Sequence, residues 1–402
     1  METTTLTQRV KAKARELGFS LVGVTHSQPP AHAGVYRRWL AAGRHGEMAY
    51  LAGERAVQRR ADPRLILPEC QSILVLGIPY RNPAGVPKPA DGRSVGRMAA
   101  FAWGQDYHEV LKPRMRRLVA FVEEAIGHRV PNRWYTDSGP LLERELAERA
   151  GLGWIGKNSM LINPERGSYF LLAEILLGIE LEPDPPFGAD HCGACTRCLE
   201  ACPTQCILLD RTLDAARCIS YLTIELKGAV PPDLRAQTED WVFDCDICQE
   251  VCPWNERFAS QAGDAAFYPR QAGPWVDLQT DLLIDTTRFN SKFKDSPVQR
   301  AKRRGYLRNM SLAAGNSEDK AQVGPLAELL RNEAEPLARG HAAWALGKLG
   351  GEEAQAALEL AEQSEADPWA LEEIKIALGR TSINWPNGRA AKTGPADQAR
   401  QR

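Results

Sequence analysis

No run of eighteen or more apolar residues occurs in the chain, and a bilayer-spanning helix needs roughly that many. The opening METTTLTQRVKAKARELGF lacks the apolar core of an export signal and reads as a basic amphipathic helix. Charge of one sign is missing too. Lys and Arg number 50 against 51 Asp and Glu, a net charge of −1, so the whole molecule has no field that attracts a polyanion. Any nucleic-acid surface must therefore be local. These absences predict a cytoplasmic protein whose thiols stay reduced, which makes its cysteines ligands before disulfides. What is present is ordinary: 402 residues, 44% hydrophobic and 25% charged, enough for two to three globular domains.

The cysteines are not ordinary. Five of the ten fall in HCGACTRCLEACPTQC, residues 191–206. Cys192-x2-Cys195-x2-Cys198-x3-Cys202-Pro203 is the bacterial ferredoxin run for a four-iron, four-sulfur cluster, whose last cysteine ligates the other cluster of a pair. A second run follows as Cys245-x2-Cys248-x3-Cys252-Pro253, with Cys218 in place of the usual leading cysteine. The ligand swap assigns Cys192, Cys195, Cys198 and Cys252 to one cluster, and Cys202, Cys218, Cys245 and Cys248 to the other. Paired zinc sites are the competing reading, since CxxC pairs also suit zinc; two CxxxCP endings favour clusters. Cys70 and Cys206 are left over and read as small buried hydrophobes.

Periodicity divides the rest. Residues 1–184 alternate helical patterns with apolar strand runs, SILVLGI and SYFLLAEILLGIEL among them, and predict an α/β or α+β domain. EPDPPFGAD, 182–190, reads as a linker into a cysteine-rich domain over 185–260. A connecting segment spans 261–300. From 301 to 381 helix formers punctuated by Gly and Pro, including EPLARGHAAWALGKLGG, predict HEAT-type repeats that bury their stripes by stacking. The polar end, 382–402, is expected to be disordered.

Four segments carry more chemistry than a core needs. In AFAWGQDYHEVL, Asp106 has the place of a helix N-cap beside Tyr107 and His108. In WYTDSGPLLERELA, Asp137 followed by Ser138, Gly139 and Pro140 reads first as a cap on a helix begun at Pro140. A proton donor would instead need a carboxyl kept protonated by burial. GLGWIGKNSM satisfies GxGxxG and GxxxxGK to the letter, but the glycines follow a helix rather than a strand. A glycine-stopped helix and a turn is the better reading, with Lys157, Asn158 and Ser159 free for some other cofactor. Finally, residues 287–310 hold eight Lys and Arg (Arg288, Lys292, Lys294, Arg300, Lys302, Arg303, Arg304, Arg308) against one Asp. With Phe289, Phe293 and Tyr306 interleaved, this local excess predicts phosphate binding.

Taken together and in order, LGFSLVGV, HGEMAYL, DPRLILP, WGQDYHEVL, WYTDSGPLLERELAERAGLGWIGKNSMLI, both cysteine runs, RRGYLRNM and GHAAWALGKLG resemble the epoxyqueuosine reductase family, from residue 1 to about 380. The resemblance implies a nitroreductase-like, cobalamin-binding α/β domain, a two-cluster ferredoxin-like domain and helical repeats. It implies reduction of epoxyqueuosine to queuosine at the wobble position of tRNAs with a GUN anticodon. Asp137 would be the proton donor, buried over the corrin, and Arg60, Tyr107, His108, Lys157, Asn158, Ser159 and Ser220 its cobalamin contacts. The corrin would be base-off: Asp106-Tyr107-His108 begins like DxHxxG but lacks the glycine. Lys292, Lys294, Arg300, Lys302, Arg303, Arg304 and Arg308 would grip the anticodon stem. A monomer fed by reduced ferredoxin or flavodoxin completes the expectation. The alternative is a reductive dehalogenase of small organohalides, with the same cofactors but no use for the basic segment.

Overall fold

The computed structural model describes residues 5–81, 87–259, 263–270 and 273–379; the tail expected to be disordered lies outside them. The first helix, Leu6–Glu16, starts at a capping box between Thr5 and Gln8. Strand β1 (Leu21–His26) follows, then β2 (Ser72–Pro79), β3 (Val95–Met98), β4 (Asn132–Tyr135), β5 (Trp154–Ile155), β6 (Leu161–Ile162), β7 (Phe170–Leu177), β8 (Trp241–Phe243) and β9 (Trp275–Asp277).

The main sheet runs β1-β2-β7-β4 and every pairing in it is antiparallel. The first lobe is therefore α+β. Its strands nevertheless read as continuous apolar runs because both faces are covered. The helix Tyr107–Ile126 lays Leu111, Met115, Leu118 and Val122 on one face, against Val24, Leu74, Leu76 and Ile175. Each such side chain contributes about 1.5–3 kcal/mol of gross burial. The other face, with Ile73, Val75 and Leu176, packs under the short helix Glu143–Arg149 through Leu146 and Ala147.

A second sheet, β8-β3-β9, draws one strand from each of three segments of the chain. The 182–190 linker is strapped down, with the Asp184 carboxylate accepting from Val24 N at 2.7 Å and pairing with Lys11. The 261–300 stretch is likewise no mere connector, since Leu278, Phe289, Phe293 and Val298 enter the largest core.

Helices Lys302–Asn316, Pro336–Leu349 and Pro368–Ala377 form one row, and Val323–Asn332 and Glu352–Ser364 a second row beside it. A Cβ at Gly340 would come within 2.4 Å of the Trp369 ring, so glycine sets that helix spacing. Two buried polar contacts lock the rows to the cysteine-rich part. Arg235 meets Glu373 through two 2.7 Å bonds, and His341 Nε2 accepts from Val230 N at 3.2 Å.

Candidate active site

Cys192, Cys195 and Cys198 lie on and before the short helix Arg197–Ala201, and Cys252 precedes the helix Pro253–Phe258 as its N-cap residue. All four line a single cavity of about 530 Å³ with His191, Pro253 and Trp254. Four soft donors around one space fit a cubane. Trp154 packs behind Cys192, donating from Nε1 to its Sγ at 3.5 Å and meeting Trp254 and His191 edge-on with centroids 5.0 Å apart.

Cys202 closes the helix Arg197–Ala201, Cys218 caps Ile219–Ile224, and Cys245 and Cys248 flank the start of Ile247–Glu250. Burial, then the charges of Cys218 and Asp246, push the Cys248 thiol well above its ordinary value. A thiolate there needs a cationic counterpart, and cluster iron is one. Cys248 also feels Cys198 and Cys202, so the two cysteine sets abut. Cys206 is buried as expected, but it is more than packing: its Sγ lies 3.5 Å from that of Cys202 and bonds that of Cys218. Cys70 is the plain buried thiol, pushed up to about 11 by burial.

The 157–159 loop is the tip of the β5–β6 hairpin, closed by Gly156 N donating to Met160 O. Lys157 Nζ donates to the carbonyls of Gly193 and Cys195, and Asn158 to that of Cys248. Ser159 Oγ donates to Arg211 O at 2.5 Å. These bonds make the loop a brace of the cysteine segments. The glycine reading holds: Gly151 follows the end of a helix, and a Cβ at Gly153 would lie 2.1 Å from Ile162 O.

Asp137 sits between β4 and the helix Glu143–Arg149. That helix begins three residues after Pro140, with Leu142 as N-cap, so Asp137 caps nothing. Its backbone is left-handed, φ 58°, and its side chain is exposed rather than buried by the polypeptide. Tyr107 O–H donates to Asp137 Oδ2 at 2.8 Å. Burial, and then the Asp137 charge, push the Tyr107 phenol far up, which keeps it a donor. Tyr107 stacks on His108 with centroids 4.1 Å apart, and Asp106 caps the helix as expected while holding His108 Nδ1 at 2.8 Å. Arg60 reaches the same loop, donating to Gly139 O at 3.4 Å.

Four neighbours of Asp137 escaped the sequence reading. Tyr50 is 56% exposed and feels both Asp137 and Arg300. Asp244, pushed up to about 6 by burial, bonds Ser220, feels Asp137 and adjoins Cys245. Glu143 and Glu174 lie behind the loop, and burial followed by neighbouring carboxylates raises both. The legible signals were a lone acid in the apolar strand FLLAEILL and an acid directly preceding a cysteine.

The basic segment is only partly free. Its missing acids arrive from elsewhere in the chain: Asp281 for Lys292, Glu225 for Arg300, Glu333 for Arg303 and Glu335 for Arg304. Arg308 is 1% exposed and donates to the carbonyls of Leu222, Leu226 and Gly228. Its expected phosphate contact is corrected to a core brace. Lys294 and Lys302 are exposed, and no ion pair among the described residues involves them.

Two abutting sets of cluster-type cysteines, the second beside a tyrosine-held carboxylate, define an iron–sulfur oxidoreductase. Residues 191–255 match the model of a "4Fe-4S double cluster binding domain" and residues 60–138 that of "Epoxyqueuosine reductase QueG, DUF1730". An epoxyqueuosine reductase of Cyclobacterium marinum is 41% identical over 307 residues, 76% of this chain and 95% of that one. One of Pseudomonas aeruginosa is 37% identical over 353 residues, covering 86% and 95%. Among solved structures, an epoxyqueuosine reductase with an epoxyqueuosine-modified tRNA-Tyr stem loop aligns with a TM-score of 0.85 at 32% identity, covering 93% of this chain and 98% of that one. The Bacillus subtilis enzyme, captured with its catalytic Asp loop swung out of the active site, aligns at 0.81 with 32% identity and the same coverage. The chain belongs to the epoxyqueuosine reductase family, and the dehalogenase alternative gives way.

Proposed function

We propose that this chain reduces epoxyqueuosine to queuosine at the wobble position of GUN-anticodon tRNAs, with Asp137 as proton donor, using two four-iron, four-sulfur clusters and cobalamin. The observation that carries this reading is the Tyr107–Asp137 hydrogen bond standing beside the second cysteine set through Asp244 and Ser220. Removing an epoxide oxygen as water consumes two electrons and two protons and leaves an alkene. Reduced ferredoxin or flavodoxin would supply the electrons one at a time.

The residues around Asp137 fit a corrin. Exposed Tyr50, the stacked Tyr107–His108 pair, Arg60 and Ser220 offer aromatic faces and hydrogen bonds to a flat, amide-fringed ring. A bound cobalamin supplies a strongly reducing, nucleophilic cobalt. His108 is tied to Asp106, in keeping with a base-off corrin.

The chain's own part is proton placement. Tyr107 occupies Asp137 Oδ2, leaving Oδ1 to present a proton to the departing oxygen. Since the polypeptide leaves Asp137 exposed, the docked base and cofactor would supply the desolvation that keeps it protonated. Splaying the wobble base out of a single-stranded loop is the modest-cost step that brings the epoxide there. Lys294 and Lys302, with Arg300 and Arg304 at the rim, would meet stem phosphates.

We read the first lobe, 1–184, as nitroreductase-like and the rows after residue 301 as HEAT-type repeats around a monomeric enzyme of the cytoplasm. No helix among the described residues is long and apolar enough to cross a membrane. The test is conversion of epoxyqueuosine-containing tRNA, read by nucleoside mass spectrometry. Asp137→Asn with intact clusters and cobalamin should lose at least ~100-fold in rate; a wild-type rate would remove Asp137 from the chemistry.

A further inference from the structure

Strand β7 is apolar except at Glu174, which is 0% exposed and lies between Val75 of β2 and Tyr135 of β4. Neither of its carboxyl oxygens meets a hydrogen-bond donor, and Oε1 of Glu143 above it is equally orphaned. The two carboxyls lie within hydrogen-bond reach of each other. Two acceptors make such a bond only with a proton between them, so the pair carries at least one. The titratable and charged groups facing it are Asp137 from the loop, Arg144 from the helix Glu143–Arg149 and Tyr107 from the helix Tyr107–Ile126. Among the described residues no basic side chain forms an ion pair with either carboxyl.

The pair touches the site at one point. The Glu143 carboxyl lies against the backbone N–H of Asp137, the residue held in a left-handed conformation at φ 58°. A non-glycine residue keeps that conformation only where its surroundings hold it. We propose that the Glu143–Glu174 pair is a latch, positioning Asp137 while it carries its shared proton and releasing the loop when that proton is lost. Ionisation would place unpaired negative charge in a closed space under the Asp137 carboxylate, and moving the loop outward admits the water that charge needs. The solved Bacillus subtilis enzyme with its catalytic Asp loop swung out gives a precedent for such travel. The consequence for turnover rests on Asp137 being the proton donor; the motion itself does not.

Burial and Asp137 push Glu143 up to about 8, which sets the range to examine. Amide hydrogen exchange over residues 136–140 of the full-length, cofactor-loaded enzyme, corrected for intrinsic rates, should show protection that falls as pH rises through about 8. Glu143→Gln keeps an acceptor for Asp137 N–H but cannot ionise, so protection should persist. The alkaline limb of single-turnover reduction should also move up by about one pH unit or more. Glu174→Gln should shift both readouts in the same direction, which guards against one variant folding poorly. If Asp137 alone titrated, removing a negative neighbour would leave the limb in place or lower it. The same pH-dependent opening in wild type and in both Gln variants would overturn the latch. Full activity of Asp137→Asn would overturn the proton donor instead, with the exchange result still deciding the latch.

Discussion

The Tyr107 phenol donates to Asp137 Oδ2 over 2.8 Å, which leaves Oδ1 as the carboxyl oxygen outside that bond. Tyr107→Phe keeps the ring and its stacking on His108 but removes that bond, worth about 1.5–3 kcal/mol when one partner is charged. Single-turnover kcat should fall roughly 10- to 100-fold with KM for tRNA little changed. An unchanged kcat at equal cofactor content would mean the phenol only packs.

The four cysteines of the 530 Å³ cavity come from two separate runs, and double variants test that sorting. Cys252→Ser should lower the iron content from about eight to about four per chain. Adding Cys192→Ser should remove no more, whereas adding Cys245→Ser should empty the second centre too. Iron analysis and electron paramagnetic resonance after anaerobic reconstitution decide it; the opposite pattern would show each run holding its own cluster.

His341 is completely buried, with Nδ1 bonded to Leu337 O and Nε2 accepting from Val230 N. Burial, and then the Arg235 charge, hold its pKa well below 6.5. The unfolded chain thus binds a proton that the folded one refuses. The stability this residue contributes is present above pH 6.5 and is lost as pH falls further, by up to ~1.4 kcal/mol per pH unit. Urea midpoints at pH 7.5 and 5.5 should therefore differ more in wild type than in His341→Gln. Equal slopes would contradict a neutral His341.

Lys302 and Arg308 stand six positions apart in one basic segment, the first exposed and the second buried. Lys302→Ala should weaken binding of an anticodon stem loop and make the salt dependence shallower by about one charge. Arg308→Ala should instead lower the thermal midpoint, since three backbone carbonyls lose their donor. A stem-loop titration at several salt concentrations, paired with thermal melts, separates the two.

The elements that could be read in advance are those whose signal is local. β2 and β7 were visible as apolar runs, the Asp106 cap as an acid before a periodic helix, and both cysteine sets as spacings. Asp137 was harder, because DSGP has the chemistry of a helix start and only the fold shows the helix waiting until Glu143. The basic segment misled for a related reason: its counter-charges lie at 225, 281, 333 and 335. Glu143 and Glu174 are 31 positions apart and meet only because a helix lies across a sheet.

Strand β3 has further significance for how the molecule is made. Val95–Met98 leaves the ribosome long before either partner, Trp241–Phe243 on one side and Trp275–Asp277 on the other. At ordinary synthesis speeds of about 5–20 residues per second the wait is ~10–30 s. For that interval a four-residue edge stands unpaired, ready to capture another nascent chain. Fragments ending before Trp241 should therefore clump on translation.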